Sequence, residues 1–333
     1  MNRFCMIYHS FNLGHWDLHN KWILLRIDGN IPVKNNQIID DSRLECILQT
    51  LNFIHERGGK CIIVTHRGRP NQFDAALSTE ILVQWFVEEG FIARFARDVS
   101  QLQLLQSTDA TCIVLENIRF FELLDADEQQ DLFKELSQCA HYYVFDAWGV
   151  AHRNDPSLIE LPLLFLPHNR SIGLCVQHEM QQLAYFKACE NIMLLVGGGK
   201  GDEKMRIIKH NKKIQTLITL PTVSNSFLKT NSTMHDAYHC KSMKDSLRQS
   251  VTLLDPSLPL VINGVTPYED QMSFDALIEI LQARSGRMLV CGGDTVAALR
   301  NKLHNATFST GGGSTLSYLA DIRLPALATV IRD

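Results

Sequence analysis

Leu194-Leu195-Val196-Gly197-Gly198-Gly199-Lys200-Gly201-Asp202-Glu203-Lys204 joins a short apolar run to three glycines and then to two lysines four residues apart. The order predicts a buried strand, a tight turn and a helix start. Glycines admit positive φ and bring bare N–H groups close to a ligand, and the helix adds the positive end of its dipole. On that helix Lys200 and Lys204 fall one turn apart on one face, so both ammonium groups reach the same phosphates. The stretch lacks the Gly-Lys-Ser/Thr ending of a P-loop and the Gly-x-Gly-x-x-Gly of a dinucleotide fold. Alone it is a weak signal, better matched by a strand-to-helix turn carrying two solvated lysines.

Around this stretch, the chain of 333 residues exceeds the size at which single cores stop growing, which predicts two domains. A composition of 45% hydrophobic and 20% charged residues is that of an ordinary soluble protein. The formal net charge of -4 gives no global reason to expect nucleic acid or an acidic membrane surface, so anion binding must come from local clusters. Nine cysteines, none spaced Cys-x-x-Cys, argue for reduced thiols in the cytoplasm and against a disulfide frame or zinc site. No run has the length of a signal-peptide core or a membrane span. His9, His15 and His19 lack a carboxylate or thiol at ligand spacing, which argues against a metal there.

Strand-like runs at Trp22–Ile27, Lys60–Thr65, Ile92–Phe95, Thr111–Leu115 and Tyr142–Phe145 alternate with helical patterns at Asp40–Arg57, Thr79–Glu89 and Asp127–Ser137. A long amphipathic pattern, Ile172–Cys189, separates this half from a second set of strands near Met193, Thr216, Leu260, Met288 and Thr307, with helices near Asp202, Ser273 and Thr295. The expectation is two Rossmann-like α/β/α domains with mostly parallel sheets, residues 1–171 and 191–333, joined by an interdomain helix over 172–190. The last residues are expected to pack back on the first domain.

Ligands of open α/β sheets sit beyond the carboxyl ends of the strands. In the first half those positions hold Asp28-Gly29-Asn30, His66-Arg67-Gly68-Arg69-Pro70, Glu116-Asn117-Ile118-Arg119 and Asp146-Ala147-Trp148-Gly149-Val150-Ala151-His152-Arg153, while Arg43 opens the Asp40 helix. Each arginine singly reads as a solvated side chain. As a set, guanidinium forks that pair two-to-two with phosphate and carboxylate oxygens point to a small, multiply negative ligand. Asp28 and Asn30 fit the roles of orienting the arginines and bonding ligand hydroxyls. The second half adds Cys291-Gly292-Gly293-Asp294-Thr295 and Ser309-Thr310-Gly311-Gly312-Gly313-Ser314-Thr315, two more glycine-lined helix starts, and Asp294 and Thr295 offer hard oxygens suited to magnesium beside phosphate. One domain reads as the site of a small anion, the other as that of a magnesium-bound polyphosphate.

These motifs, with Leu25-Arg26-Ile27-Asp28-Gly29-Asn30-Ile31-Pro32 and Asp40-Asp41-Ser42-Arg43, fall in the order found in phosphoglycerate kinases, and from about Trp22 onward the chain resembles that family. The resemblance implies a phosphotransferase with a carboxyl acceptor, moving a phosphoryl group between Mg-ATP and 3-phosphoglycerate. It implies 3-phosphoglycerate binding by Asp28, Asn30, Arg43, His66, Arg69, Arg119 and Arg153. It assigns catalytic roles to Arg43, Lys200, Lys204, Gly311, Gly312 and Gly313. Nucleotide contacts fall to Gly198, Gly199, Lys200, Lys204, Asn263, Glu269, Gly292, Gly293, Asp294 and Thr295, with Asp294 meeting the Mg2+ that accompanies ATP or ADP. It also implies a cytoplasmic monomer that closes about the Ile172–Cys189 helix.

Departures gather in the second half. Leu220-Pro221-Thr222-Val223-Ser224 stands where the family has glycines beside the adenine, the chain between Lys229 and Leu260 is short, and Ile262-Asn263-Gly264-Val265-Thr266-Pro267 replaces Trp-Asn-Gly-Pro-Met-Gly. Glu203 takes the place of an aspartate, and Gly29 that of an aromatic. Three readings stay open: a working kinase with a trimmed nucleotide domain, a non-catalytic relative that binds phosphoglycerate as a sensor or regulator, and a kinase for another anionic acceptor.

Overall fold

Two six-stranded parallel sheets carry the two halves of the chain. The computed structural model describes residues 12–198, 201–219, 236–239, 255–265 and 271–331. Contacts divide the chain into one unit of Met1–His178 with Pro325–Asp333 and a second of Glu179–Leu324.

The first unit runs β1 (Trp22–Ile27), a hairpin of β2 (Val33–Lys34) and β3 (Gln37–Ile38), α1 (Ser42–Glu56), β4 (Lys60–Val64), α2 (Leu82–Glu88), β5 (Ala93–Ala96), α3 (Val99–Gln106), β6 (Cys112–Leu115), α4 (Ile118–Phe121), α5 (Ala126–Gln138), β7 (Tyr142–Asp146), α6 (Pro156–Ile159), β8 (Arg170–Ile172) and the start of α7 (Leu174–Ala188). Its sheet order is β5-β6-β4-β1-β7-β8, every pair parallel. All of β1 is buried, because helices cover both faces of a parallel sheet and its central strands read as unbroken apolar runs rather than alternating ones. Leu24 sits between Ile62 on β4 and Tyr143 on β7. On one face Leu44, Ile47, Leu51 and Ile54 of α1 pack with Ile23, Leu25 and Ile63 of the sheet.

Three features differ from the expected elements. Ile172, expected in the connecting helix, ends the edge strand β8. Asp98 accepts a hydrogen bond from Gln101 N–H and starts α3, a helix with too weak a periodicity to stand out. Cys46 of α1 and Cys175 of α7 are joined in a disulfide, against the expectation of reduced thiols. Cys175 lies in the α1 core cluster and Cys46 packs against it, so burial of two apolar faces brings together sulfurs 129 residues apart, a pairing without local spacing. Cys61, Cys112, Cys139, Cys189 and Cys291 are free thiols.

The root of α7 is also tied by polar groups. Asp146 Oδ1 accepts from Val176 N–H at 2.9 Å and its Oδ2 from Thr50 Oγ1 at 2.5 Å, while Leu174 N–H donates to Thr50 Oγ1 at 2.8 Å. Gly173 lets this carboxylate approach, since a Cβ there would collide with it. Burial pushes the Asp146 carboxyl up to about 7, opposed by the bonds from Thr50, Val176 and Cys175.

The second unit follows with β9 (Ile192–Val196), α8 (Gly201–His210), β10 (Ile214–Thr219), β11 (Asp236–His239), β12 (Leu260–Asn263), α9 (Gln271–Gln282), β13 (Met288–Cys291), α10 (Gly293–Leu299), β14 (Ala306–Ser309) and α11 (Gly312–Leu319). Its parallel order is β11-β10-β9-β12-β13-β14. Phe274, Leu277 and Leu281 of α9 and Val296 and Leu299 of α10 cover Met193, Leu195, Ile262 and Val290. The last helix, α12 (Pro325–Ala328), is grouped with the first unit, where Ala326 N–H donates to Ala151 O at 3.2 Å. Among the described residues no helix is long and apolar enough to cross a membrane.

Candidate active site

In the first unit the four adjacent strands β6, β4, β1 and β7 all end at one edge of the sheet, and the residues that follow them meet there. Asp28, one residue past β1, is 8% exposed and receives Arg43 Nη1 at 3.0 and 3.1 Å. The same nitrogen reaches Asn30 O at 3.2 Å, so Arg43 is held by both a carboxylate and a carbonyl. Gly149 faces Asp28 Oδ2 closely enough that a Cβ would collide with it. Gly29 has no room either: its Cβ would lie 2.7 Å from Thr65 Oγ1, which already accepts the Gly29 N–H. The aromatic usual at this place in the family therefore has no space in this backbone.

His66, past β4, is 1% exposed, with Arg26 Nη2 at 3.5 Å from its Nδ1. A guanidinium only donates, which makes Nδ1 the acceptor and leaves the proton on Nε2. Burial, then Arg26, Arg119, Arg153 and Arg43, hold this imidazole well below its ordinary range, so it is neutral at pH 7. Asn117, past β6, is fully buried: its Oδ1 accepts from the backbone N–H of Arg67 and Arg119, and its Nδ2 donates to Arg67 O and Leu77 O. One amide thus pins two of the strand-end loops together. Arg119 donates Nη1 to Gly68 O and Nη2 to Asp155 Oδ2 at 3.0 Å, while Arg153 Nη1 stands 4.0 Å from the same carboxylate. Burial and then Arg119 lower the Arg153 guanidinium, with Arg69 adding to the effect. Arg69 itself is exposed. Arg43, Arg119 and Arg153 have Asp28 and Asp155 as ion-pair partners, and Arg69 joins them as an electrostatic neighbour of Arg153.

In the second unit the ends of β9, β12, β13 and β14 play the same part with backbone in place of charge. Gly198 and Gly264 adopt φ of 72° and 78°, and they stand back to back: a Cβ on Gly198 would lie 3.1 Å from Gly264 O. Gly292, at φ 97°, and Gly312 meet at Asn263, whose Nδ2 would be 3.2 and 3.1 Å from a Cβ on either. Asn263 Nδ2 donates to Cys291 O at 2.8 Å, and its buried Oδ1 has no hydrogen-bond partner. Lys204 Nζ donates to Gly197 O at 2.9 Å. Gly264 N–H donates to Thr295 Oγ1 at 2.7 Å, so Thr295, 1% exposed, fastens the turn. Asp294 is exposed in the first turn of α10. Gly311, Gly312 and Gly313 open α11, whose first N–H groups have no acceptor within the helix. Gly293 begins α10. Gly199, Lys200 and Glu269 lie outside the described residues, as do Leu220–Lys229.

Three contributors escaped the sequence reading. Arg26, 1% exposed beneath His66, carries a charge in a run that reads as apolar strand. Asp155, two residues beyond Arg153, balances two arginines. Glu179 of α7 accepts from Thr310 N–H and Oγ1 at 2.9 and 2.8 Å, holding the turn before Gly311 from a helix 131 residues away, and no local pattern marks it.

The phosphoglycerate kinase family model matches residues 13–257. The phosphoglycerate kinase of Wolbachia pipientis subsp. Culex pipiens (strain wPip) is 26% identical over 396 residues, spanning 95% of this chain and 97% of its own length. That alignment is longer than the 333 residues of this chain, so the relative carries segments this chain lacks. The enzyme of the same name from Wolbachia pipientis wMel is 32% identical over 233 residues, 65% of this chain and 56% of its own. The crystal structure of phosphoglycerate kinase from Pyrococcus horikoshii OT3 shares the fold at a TM-score of 0.77 and 19% identity, covering 96% of this chain and 98% of its own. That from Coxiella burnetii gives 0.70 at 20% identity, covering 96% and 97%.

Proposed function

The chain belongs to the phosphoglycerate kinase family, and on that premise we propose that it transfers a phosphoryl group reversibly between Mg-ATP and the carboxylate of 3-phosphoglycerate, giving 1,3-bisphosphoglycerate and ADP, a step of glycolysis and gluconeogenesis. The observation that carries the reading is the set Arg43, Arg119 and Arg153 with neutral His66, gathered at one sheet edge and balanced by Asp28 and Asp155. Such an excess of guanidinium suits a ligand bearing both phosphate and carboxylate. Asp28, Asn30 and Arg69 complete that pocket.

The acceptor carboxylate is ionised at neutral pH and needs no general base. Its oxygen attacks the terminal phosphorus in line, the bond from that phosphorus to the bridging oxygen breaks, and ADP leaves with the electron pair. Alignment and charge neutralisation supply the catalysis: Arg43, already oriented by Asp28, with Lys200, Lys204 and the N–H groups of Gly311, Gly312 and Gly313, meets the migrating group. Asn263, Gly198, Gly199, Gly292, Gly293, Thr295 and Glu269 form the nucleotide pocket. Asn263 fits a donor-bearing ligand, because its buried Oδ1 lacks a partner, and Gly292 and Gly312 let two helix starts pack closely against it. Asp294 would supply the carboxylate for the Mg2+ of the nucleotide substrate, an ion that would neutralise phosphate charge there. Turnover on this reading requires the two units to close about α7. The protein acts as a cytoplasmic monomer, where thiol reductants would act on the Cys46–Cys175 bond.

A second reading, a phosphoglycerate-binding relative without turnover, is favoured by one observation: the family model's match ends at residue 257, before the glycine turns at Gly292 and Gly311. Thermal shift separates the two, since a ligand that binds only the folded state must raise its melting temperature. Kinase function requires shifts with 3-phosphoglycerate and with Mg-ADP. A shift with the acid alone supports the binder, and none with either overturns both.

A further inference from the structure

Beside the arginine cluster lies a cavity of about 730 Å3, walled by the β2–β3 hairpin on one side and by the 3-10 turns Ala75–Leu77 and Thr79–Ile81 on another, with Arg67 and Gly68 between them. Arg67 belongs to none of the roles assigned above. It is only 6% exposed, yet its guanidinium makes a single hydrogen bond, from Nη1 to Ser78 O at 2.5 Å. Its buried Nε has no partner, and it forms no ion pair among the described residues.

The carboxylate whose charge acts on it, Glu116, spends its hydrogen bonds elsewhere. Its Oε2 accepts from Ser78 Oγ, and its Oε1 accepts from the N–H groups of Thr79 and Asn117 and from Thr79 Oγ1. A cation buried with one neutral acceptor carries a desolvation cost that Coulomb attraction has not offset, and an anion in the adjoining space would offset it. Asn30, also in the wall, spends its Oδ1 on Gly68 N–H at 2.8 Å and keeps its amide N–H donors. The buried Arg67 guanidinium and the exposed Asn30 amide therefore offer donors to one cavity whose remaining surface includes Ile31, Leu77 and Ile81 and a single carboxylate, the exposed Glu80. The volume is in the range of pockets for small organic ligands and exceeds what a bare anion needs.

We infer that this cavity is a second ligand site, with Arg67 as its anchor, for a small organic anion that pairs a phosphate or carboxylate with an apolar body. The site shares Asn30 with the proposed acceptor pocket but has its own anchor in Arg67, because neither Arg43, Arg119 nor Arg153 lines the cavity.

The test is calorimetric titration of the full chain with phenyl phosphate, benzoate and inorganic phosphate, in the unsubstituted protein and in Arg67→Leu and Arg119→Ala variants. At least one aromatic probe is expected to bind more tightly than inorganic phosphate, to lose tenfold or more in affinity in Arg67→Leu, and to keep its affinity in Arg119→Ala. Preference between the two aromatic probes tells phosphate from carboxylate. The ligand-free Arg67→Leu chain is expected to melt at or above the parent temperature, because an uncompensated buried charge has been removed. Equal affinity in Arg67→Leu, loss in Arg119→Ala instead, or no aromatic binding in the parent would overturn the site. So would a large fall in the melting temperature of ligand-free Arg67→Leu, which would make Arg67 structural.

Discussion

Each unit places its candidate site residues past the carboxyl ends of the strands of its own parallel sheet, but the two sets are built from different material. The first uses side-chain charge: Arg43, Arg119 and Arg153 around a neutral His66, with Asp28 and Asp155 as counter-ions. The second uses bare backbone: Gly198, Gly264 and Gly292 in left-handed conformations and Gly312 against Asn263, with Lys204 pointing back to Gly197 O. A site of charges can lose one member and keep its shape. Turns of packed glycines fail by geometry, since a Cβ on Gly198, Gly292 or Gly312 would press on the backbone or on Asn263 Nδ2 already there.

Arg43 is where this division of labour is most exposed to test. Arg43→Ala is expected to lower turnover by about 10³-fold, roughly 4 kcal/mol of transition-state stabilisation, while Mg-ADP affinity stays within twofold. Steady-state kinetics beside nucleotide titration reads both, and equal loss in both would erase the difference between the units.

The next effect concerns the covalent tie in the first unit. Cys46→Ser should destabilise Met1–His178 by about 3 kcal/mol, because the bond closes a long loop in the unfolded chain. Followed by hydrogen exchange, protection should fall in β1 and α1 and hold in β12 and β13. A uniform fall would mean that the two units unfold as one.

Gly292→Ala probes the backbone-built side. A φ of 97° and Asn263 Nδ2 at 3.2 Å put strain on any Cβ, at a cost of about 1–3 kcal/mol. Nucleotide affinity should fall with it while 3-phosphoglycerate affinity is retained, as calorimetry of each ligand would report. Unchanged nucleotide binding would remove Gly292 from the site.

The effect that is smallest at any one step of pH, because it is spread over about three pH units, lies at Asp146. Burial raises its folded-state carboxyl to about 7 from an ordinary value of 3.8, so between those values the folded chain holds a proton that the unfolded chain has released. Stability conferred by the protonated form is therefore full at low pH and declines as pH rises toward 7, by about 1 kcal/mol per pH unit, then levels. Asp146→Asn should flatten that slope in urea melts from pH 5 to 8. An unchanged slope would assign it to other groups.

Much of this architecture is legible in the sequence because the determinants are local. Trp22–Ile27 reads as a buried parallel strand from composition alone, and the residues after each strand sit where an open sheet places its ligands. The arginine set and the glycine turns follow from that rule. What escaped depends on partners far along the chain. Cys46 finds Cys175, Glu179 finds Thr310, and Arg26 hides a charge in a strand whose other members are apolar. Asp98 starts α3 through a single cap, a signal shared by many loop aspartates. Long-range pairs of this kind leave no periodicity, so only the folded chain displays them.

Whether the two units together make a kinase is decided by steady-state phosphoryl transfer from Mg-ATP to 3-phosphoglycerate, coupled to a dehydrogenase that consumes the acyl phosphate, with Lys204→Ala alongside. Turnover is expected in the parent chain, and its loss in Lys204→Ala. A folded parent chain that binds 3-phosphoglycerate but shows no transfer would contradict the kinase assignment.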